Sequence, residues 1–82
     1  MNIKILGSGC ANCTTLYKRT EEALQELKMK ANLEKVEDFQ RIAGYGIMRT
    51  PGLVIDEKVV SYGHVPKVED IKTMILEHSV KE

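Results

Sequence analysis

The stretch Gly7-Ser8-Gly9-Cys10-Ala11-Asn12-Cys13 constrains this chain more than any other. Ile3-Lys4-Ile5-Leu6 before it reads as a short strand, and helical spacing begins after it. A strand that stops at glycines and feeds a helix places Cys10 at or near the helix N-terminus. The first backbone N–H groups there have no partner and the local potential is positive. That setting favours a thiolate over a thiol, and the thiolate is the reactive form. These are the only two cysteines in the chain. Two thiols so placed can form and break a disulfide, or hold a soft metal ion.

With 82 residues, the chain is expected to form a single domain, residues 1–82, with one core. Hydrophobic residues make up 43% and charged residues 29%, as in an ordinary globular protein. With no Trp and one Phe, aliphatic side chains must fill the core. Lys and Arg number 12, as do Asp and Glu, and the zero net charge argues against nucleic-acid or membrane-surface binding. No apolar run approaches a bilayer span, and the N-terminus offers no signal-peptide apolar region. The expected home is cytoplasmic, where permanent disulfides are opposed and a Cys pair points to catalysis or metal binding.

The chain reads as βαβαββα. The first strand spans residues 2–6; its mostly apolar run suits a central position covered on both faces, with Lys4 as the interruption. The first helix runs from Ala11 to Lys28, with Leu16, Thr20, Ala23, Leu24 and Leu27 on one face and Cys13 near the top of that stripe. Asn32 is the candidate left-handed residue after it. A second strand covers Ala31–Val36, completing a parallel βαβ unit. Asp38 caps a short helix with Phe39, Ile42 and Ala43 as its apolar face, ended by Gly44 or Gly46. Leu53–Ile55 and Val59–Tyr62 form an antiparallel hairpin around Asp56-Glu57-Lys58, where the missing Gly weakens the signal for a two-residue type I′ turn. Gly63 breaks the ladder, and Pro66 opens the way to a last helix buried through Val68, Ile71, Met74 and Ile75. The expected product is an α/β fold, a four-stranded mixed sheet with helices on both faces.

Cys-x-x-Cys at the first helix, an x-Pro before the third strand and a Gly after the fourth together resemble the thioredoxin-like superfamily. The match is closest to its minimal, glutaredoxin-sized archaeal and bacterial members. Those carry a GxGCxxC start, a YGxxxTPxLVIDxKVVxxGxVP stretch and a terminal helix. The matching residues are Gly7, Gly9, Cys10 and Cys13, then Tyr45-Gly46, Thr50-Pro51, Leu53-Val54-Ile55-Asp56, Lys58-Val59-Val60, Gly63 and Val65-Pro66. The resemblance implies a thiol–disulfide oxidoreductase acting on protein disulfides. Cys10 would attack a substrate disulfide, and Cys13 would resolve the mixed disulfide. Pro51 would be cis beside the cysteines. Thr50 would pair with an extended substrate segment, and Gly63 and His64 would line the same groove. No cofactor beyond the cysteine pair is implied; electrons would come from a separate thioredoxin-reductase-type donor, and the protein would be a monomer.

The sequence departs from the larger thioredoxins at three places. Gly9 replaces a Trp before Cys10, Ala11-Asn12 replaces Gly-Pro between the cysteines, and Lys4 stands where those proteins bury an Asp that helps proton transfer. Lys4 either carries its charge to a sheet end or lowers a thiol pKa. His64 is either a solvated loop residue or a group that tunes the thiolate. Tyr17 and Tyr45 are expected half-buried with wet hydroxyls. The same Cys pair also resembles the G-x-x-C-x-x-C start of small copper-chaperone domains, which makes soft-metal carriage the alternative, although Ser8 holds the place of their Met. A redox-regulated interaction module is a third reading. A structural zinc site would need four ligands, and His64 and His78 are not at zinc-finger spacing.

Overall fold

The structure, a computed structural model, describes residues 1–8 and 11–79. Readings made for Gly9 and Cys10 therefore lie outside the described residues. The elements are β1 (Asn2–Leu6), α1 (Ala11–Leu27), β2 (Asn32–Val36), α2 (Phe39–Gly44), β3 (Gly52–Ile55), β4 (Lys58–Tyr62) and α3 (Val68–Ser79). The sheet order is β2-β1-β3-β4, with β1 parallel to β2 and antiparallel to β3, and β3 antiparallel to β4. This is the expected α/β mixed sheet.

Both sheet faces are covered, which explains why the inner strands do not alternate cleanly. Ile3, Ile5, Leu53 and Ile55 on one face pack with Leu16, Ala23 and Leu24 of α1 and Ile71 and Ile75 of α3. Leu6, Val36 and Val54 on the other pack with Ile42 of α2 and with Ile47. Leu33 and Val36 thus serve opposite cores, and every residue of β3 is buried. The two long helices are also tied by Lys72 to Glu26 at 3.0 Å, and Arg19 of α1 donates to the Pro66 carbonyl at 3.1 Å.

Two local features differ from the sequence reading, and a third makes it more definite. Helix α1 ends on Lys28, not Asn32, in the left-handed conformation with φ 56°. Lys28 N donates to the Gln25 carbonyl and Met29 N to the Leu24 carbonyl, the paired bonds of a Schellman ending. Helix α2 has its Asp38 cap, which accepts from Gln40 N at 3.1 Å, but only Ile42 of its apolar trio is buried. Phe39 is 81% exposed. The β3–β4 hairpin is a two-residue turn with Asp56 and Glu57 both at positive φ, as a type I′ turn requires, although neither is Gly. β4 then carries a register shift that brings Ser61 opposite Leu53 but Val59 opposite Val54.

Candidate functional site

The site forms where the C-terminal end of β1 meets the first turn of α1. Cys13 is the third residue of α1, within the turn whose backbone N–H groups lack helical partners. Its position on the buried stripe with Leu16 and Thr20 leaves it 6% exposed, and it is disulfide-bonded. β1 approaches from below. The Gly7 amide continues the parallel ladder by donating to the Val36 carbonyl at 2.9 Å. The Cys13 sulfur fills the space where a side chain at residue 7 would stand. A Cβ there would lie 2.1 Å from Sγ and 3.1 Å from Cβ of Cys13, and 3.7 Å from Cβ of Thr50. One point thus joins β1, α1 and the loop before β3.

The Thr50–Pro51 peptide bond is cis, and Pro51 is buried while Thr50 is exposed. The Pro51 carbonyl accepts from Gly63 N at 2.9 Å, so the loop after β4 is fastened to the proline loop. Gly63 has φ +84°, a conformation that disfavours any side chain. The Arg49 stem packs beside it, 3.5 Å from where a Cβ would sit. His64 is exposed next to Gly63, with its Nε2 3.5 Å from Ser61 Oγ. The structure therefore brings Cys13, Thr50, Pro51 and Gly63 together, with His64 exposed next to Gly63. A groove of about 480 Å³ opens beside Thr50, lined by Phe39, Ile42, Ile47, Met48 and Arg49. Met48 is 94% exposed there, unlike the half-buried Met1, Met29 and Met74, which pack on the core. Among the described residues, no group of three or more His, Cys, Asp or Glu is placed to hold a metal ion, and no helix is long and apolar enough to cross a membrane.

The chain matches the thioredoxin domain family over residues 1–76. It belongs to that family. Over 75 residues it is 39% identical to a thioredoxin of Methanothermobacter thermautotrophicus, covering 92% of this chain and 97% of the relative. Over 70 residues it is 39% identical to a thioredoxin of Methanocaldococcus jannaschii, covering 85% and 80%. Thioredoxin 1 of Thermosipho africanus shares the fold, with a TM-score of 0.65 at 17% identity over 99% of this chain and 100% of that one.

Against the larger thioredoxins, the Lys4 departure resolves by geometry. Lys4 pairs with Val54 across β1–β3 and shares its sheet face, the one turned away from α1. Its ammonium bonds to the Glu57 carboxylate and to the Tyr45 hydroxyl at 3.2 Å, and that hydroxyl donates to Glu57 at 2.9 Å. The Tyr45 hydroxyl is thus tied to two charged groups. The bond to Glu57, then that to Tyr45, raises the Lys4 pKa; the same bonds from Lys4 and Tyr45 lower that of Glu57. Lys4 ends at the hairpin turn, not at Cys13.

The titratable groups beside Cys13 come instead from the end of β2 and the residue just beyond it, and the sequence reading passed over them. Lys35 pairs with Ile5, and Ile5, Gly7, Cys13, Thr14, Lys35 and Glu37 enclose one small crevice. The Lys35 ammonium lies over the Tyr17 ring, 4.9 Å from its centroid. The available signal was the two-residue spacing of Lys35 and Glu37 at the end of a strand parallel to β1.

Proposed function

We propose that the protein is a thiol–disulfide oxidoreductase that exchanges electrons with protein disulfides through a Cys10/Cys13 couple. The observation that carries this reading is the Cys13 sulfur packed against Gly7, with Thr50 bordering the same point, in a chain of the thioredoxin family. Cys10 immediately precedes α1 in sequence and is the proposed nucleophile. Its thiolate attacks one sulfur of the substrate disulfide, a mixed disulfide forms, and the first substrate thiolate leaves. Cys13 then attacks the Cys10 sulfur, and the second substrate thiolate leaves as the protein disulfide closes. The protein loses two electrons and the substrate gains them. Thr50 offers backbone groups to an extended substrate segment, with Pro51, Gly63 and His64 bordering it. A separate reductase of the thioredoxin-reductase type is the proposed electron source.

An anaerobic redox titration tests the proposal, with the thiol state read by alkylation and mass and metal measured on the same sample. A two-electron, metal-free transition near the thioredoxin value of about −270 mV is expected. Thiols that resist oxidation, or a stoichiometric soft metal, would replace this reading with metal carriage. Cys10→Ser should abolish disulfide reduction, whereas Cys13→Ser should accumulate a mixed disulfide visible by mass. Normal turnover of Cys13→Ser in a dithiol-driven assay would refute the assigned roles.

A further inference from the structure

Resolution by Cys13 needs its proton removed, and β1 supplies no acid or base for this. Lys4 is turned to the other sheet face, and Ile5 is the β1 residue that lines the crevice beside Cys13. The crevice that Ile5 shares with Gly7, Cys13, Thr14, Lys35 and Glu37 measures about 10 Å³. That is the room of one water molecule, and its wall carries the polar groups such a water needs. Lys35 and Glu37 stand two residues apart along β2 and its continuation, so strand alternation brings both to the Cys13 side while Val36 points into the opposite core.

We propose that Glu37 takes up the Cys13 proton through a single water in this crevice, while the Lys35 ammonium favours the thiolate that results. The inference rests on the resolving role proposed for Cys13. In the step, the Cys13 S–H bond breaks and the proton passes by way of the water to the Glu37 carboxylate. The sulfur electron pair forms the bond to Cys10, the Cys10–substrate S–S bond breaks, and the leaving thiolate draws a proton from solvent. No other reductant is needed, because the dithiol supplies both electrons. β2 and the residue just beyond it contribute the only charged groups lining the crevice, among the described residues. Tyr17 of α1 holds the Lys35 ammonium, and Arg49 and His64 on the Thr50 and Gly63 loops lie outside it. The larger thioredoxins place a buried Asp on the strand before the cysteines; here the acid comes from just beyond the end of the neighbouring strand.

Stopped-flow mixing of the fully reduced protein with an equimolar chromogenic aromatic disulfide, dithiobis-nitrobenzoate, separates the two attacks. The first nitrothiobenzoate leaves in a concentration-dependent phase, and the second in a concentration-independent phase that reports Cys13. Glu37→Gln should leave the first phase unchanged and slow the second at least about tenfold at neutral pH, the lower end of what a general base contributes. The deficit should shrink as pH rises and the thiol ionises unaided. Glu37→Asp should recover most of the rate, and Lys35→Met should move the rise of the second phase to higher pH. A nearby carboxylate acting only by its charge would oppose the thiolate, so its removal would speed the second phase. A second phase that is unchanged or faster in Glu37→Gln at neutral pH overturns the proposal. If Cys13→Ser retains the second phase, the resolving role itself fails; if it loses that phase while Glu37→Gln keeps it, only the proton path fails.

Discussion

A methyl group at residue 7 would meet the Cys13 sulfur at 2.1 Å, far inside contact distance. The obstruction is not the free end of a long side chain but a short, buried cysteine anchored in α1, so the helix or the strand end has to shift. Gly7→Ala is expected to destabilise the fold by about 1–3 kcal/mol, the usual cost of overpacking. It should also slow disulfide reduction, because Thr50 lies against the same point. Thermal denaturation and turnover of the purified variant check both, and an unchanged melting temperature would show that the sulfur is not wedged as described. Phe39 and Met48 show the opposite case, in which hydrophobicity did not predict burial. Each borders the groove next to Thr50 instead of filling a core.

At the scale of elements, the ends of helices and strands were settled by backbone conformations that the local sequence does not favour. Lys28 occupies a left-handed position that glycine fills without steric cost. It is exposed, so its side chain is not needed for packing. Lys28→Gly is therefore expected to raise stability by about 0.5–1 kcal/mol through relief of the left-handed strain, offset in part by glycine's greater unfolded-state freedom. Chemical denaturation checks this, and a loss of stability would mean that the entropy term dominates. The same logic explains the hairpin turn. Asp56 and Glu57 both take positive φ, and the turn is held from outside by Asp56 accepting from Asn2 N at 2.8 Å and by Glu57 bound to Lys4. Long-range partners compensated for a turn without glycine.

For the whole molecule, the Lys4–Tyr45–Glu57 cluster joins the central strand, the α2–β3 connection and the hairpin tip, and it makes stability depend on pH at both extremes. Glu57 has a folded pKa below its ordinary 4.5, so its contribution is complete above that value and is lost as pH falls through the lowered one. Lys4 is raised above its ordinary 10.5, so its contribution is complete below that value and is lost as pH rises through the raised one. Glu57→Gln should lower stability slightly and evenly between these limits, with the gap to the parent protein closing in acid and again in strong alkali. The gap should be small because Glu57 is exposed and solvent screens the pair. Melting temperatures across pH check it, and a gap that persists in acid would assign the effect to something other than the carboxylate charge.

The sequence by itself determined the order of elements, the helical stripe of α1, the capping role of Asp38 and the strand-to-helix junction that carries the cysteines. These follow from periodicity and turn chemistry, which act over a few residues. The resemblance to thioredoxins rested on three separated motifs, and the family match agrees with it. Only the tertiary structure decided which sheet face each residue serves. It sent Lys4 to Tyr45 and Glu57 on one face and brought Lys35 and Glu37 to Cys13 on the other, because strand pairing joins residues 30 positions apart that no local pattern links. It also brought both Thr50 and the Cys13 sulfur up to Gly7. A close approach of that kind depends on three segments packing at once, and a glycine in the sequence records only that room is needed, not what fills it.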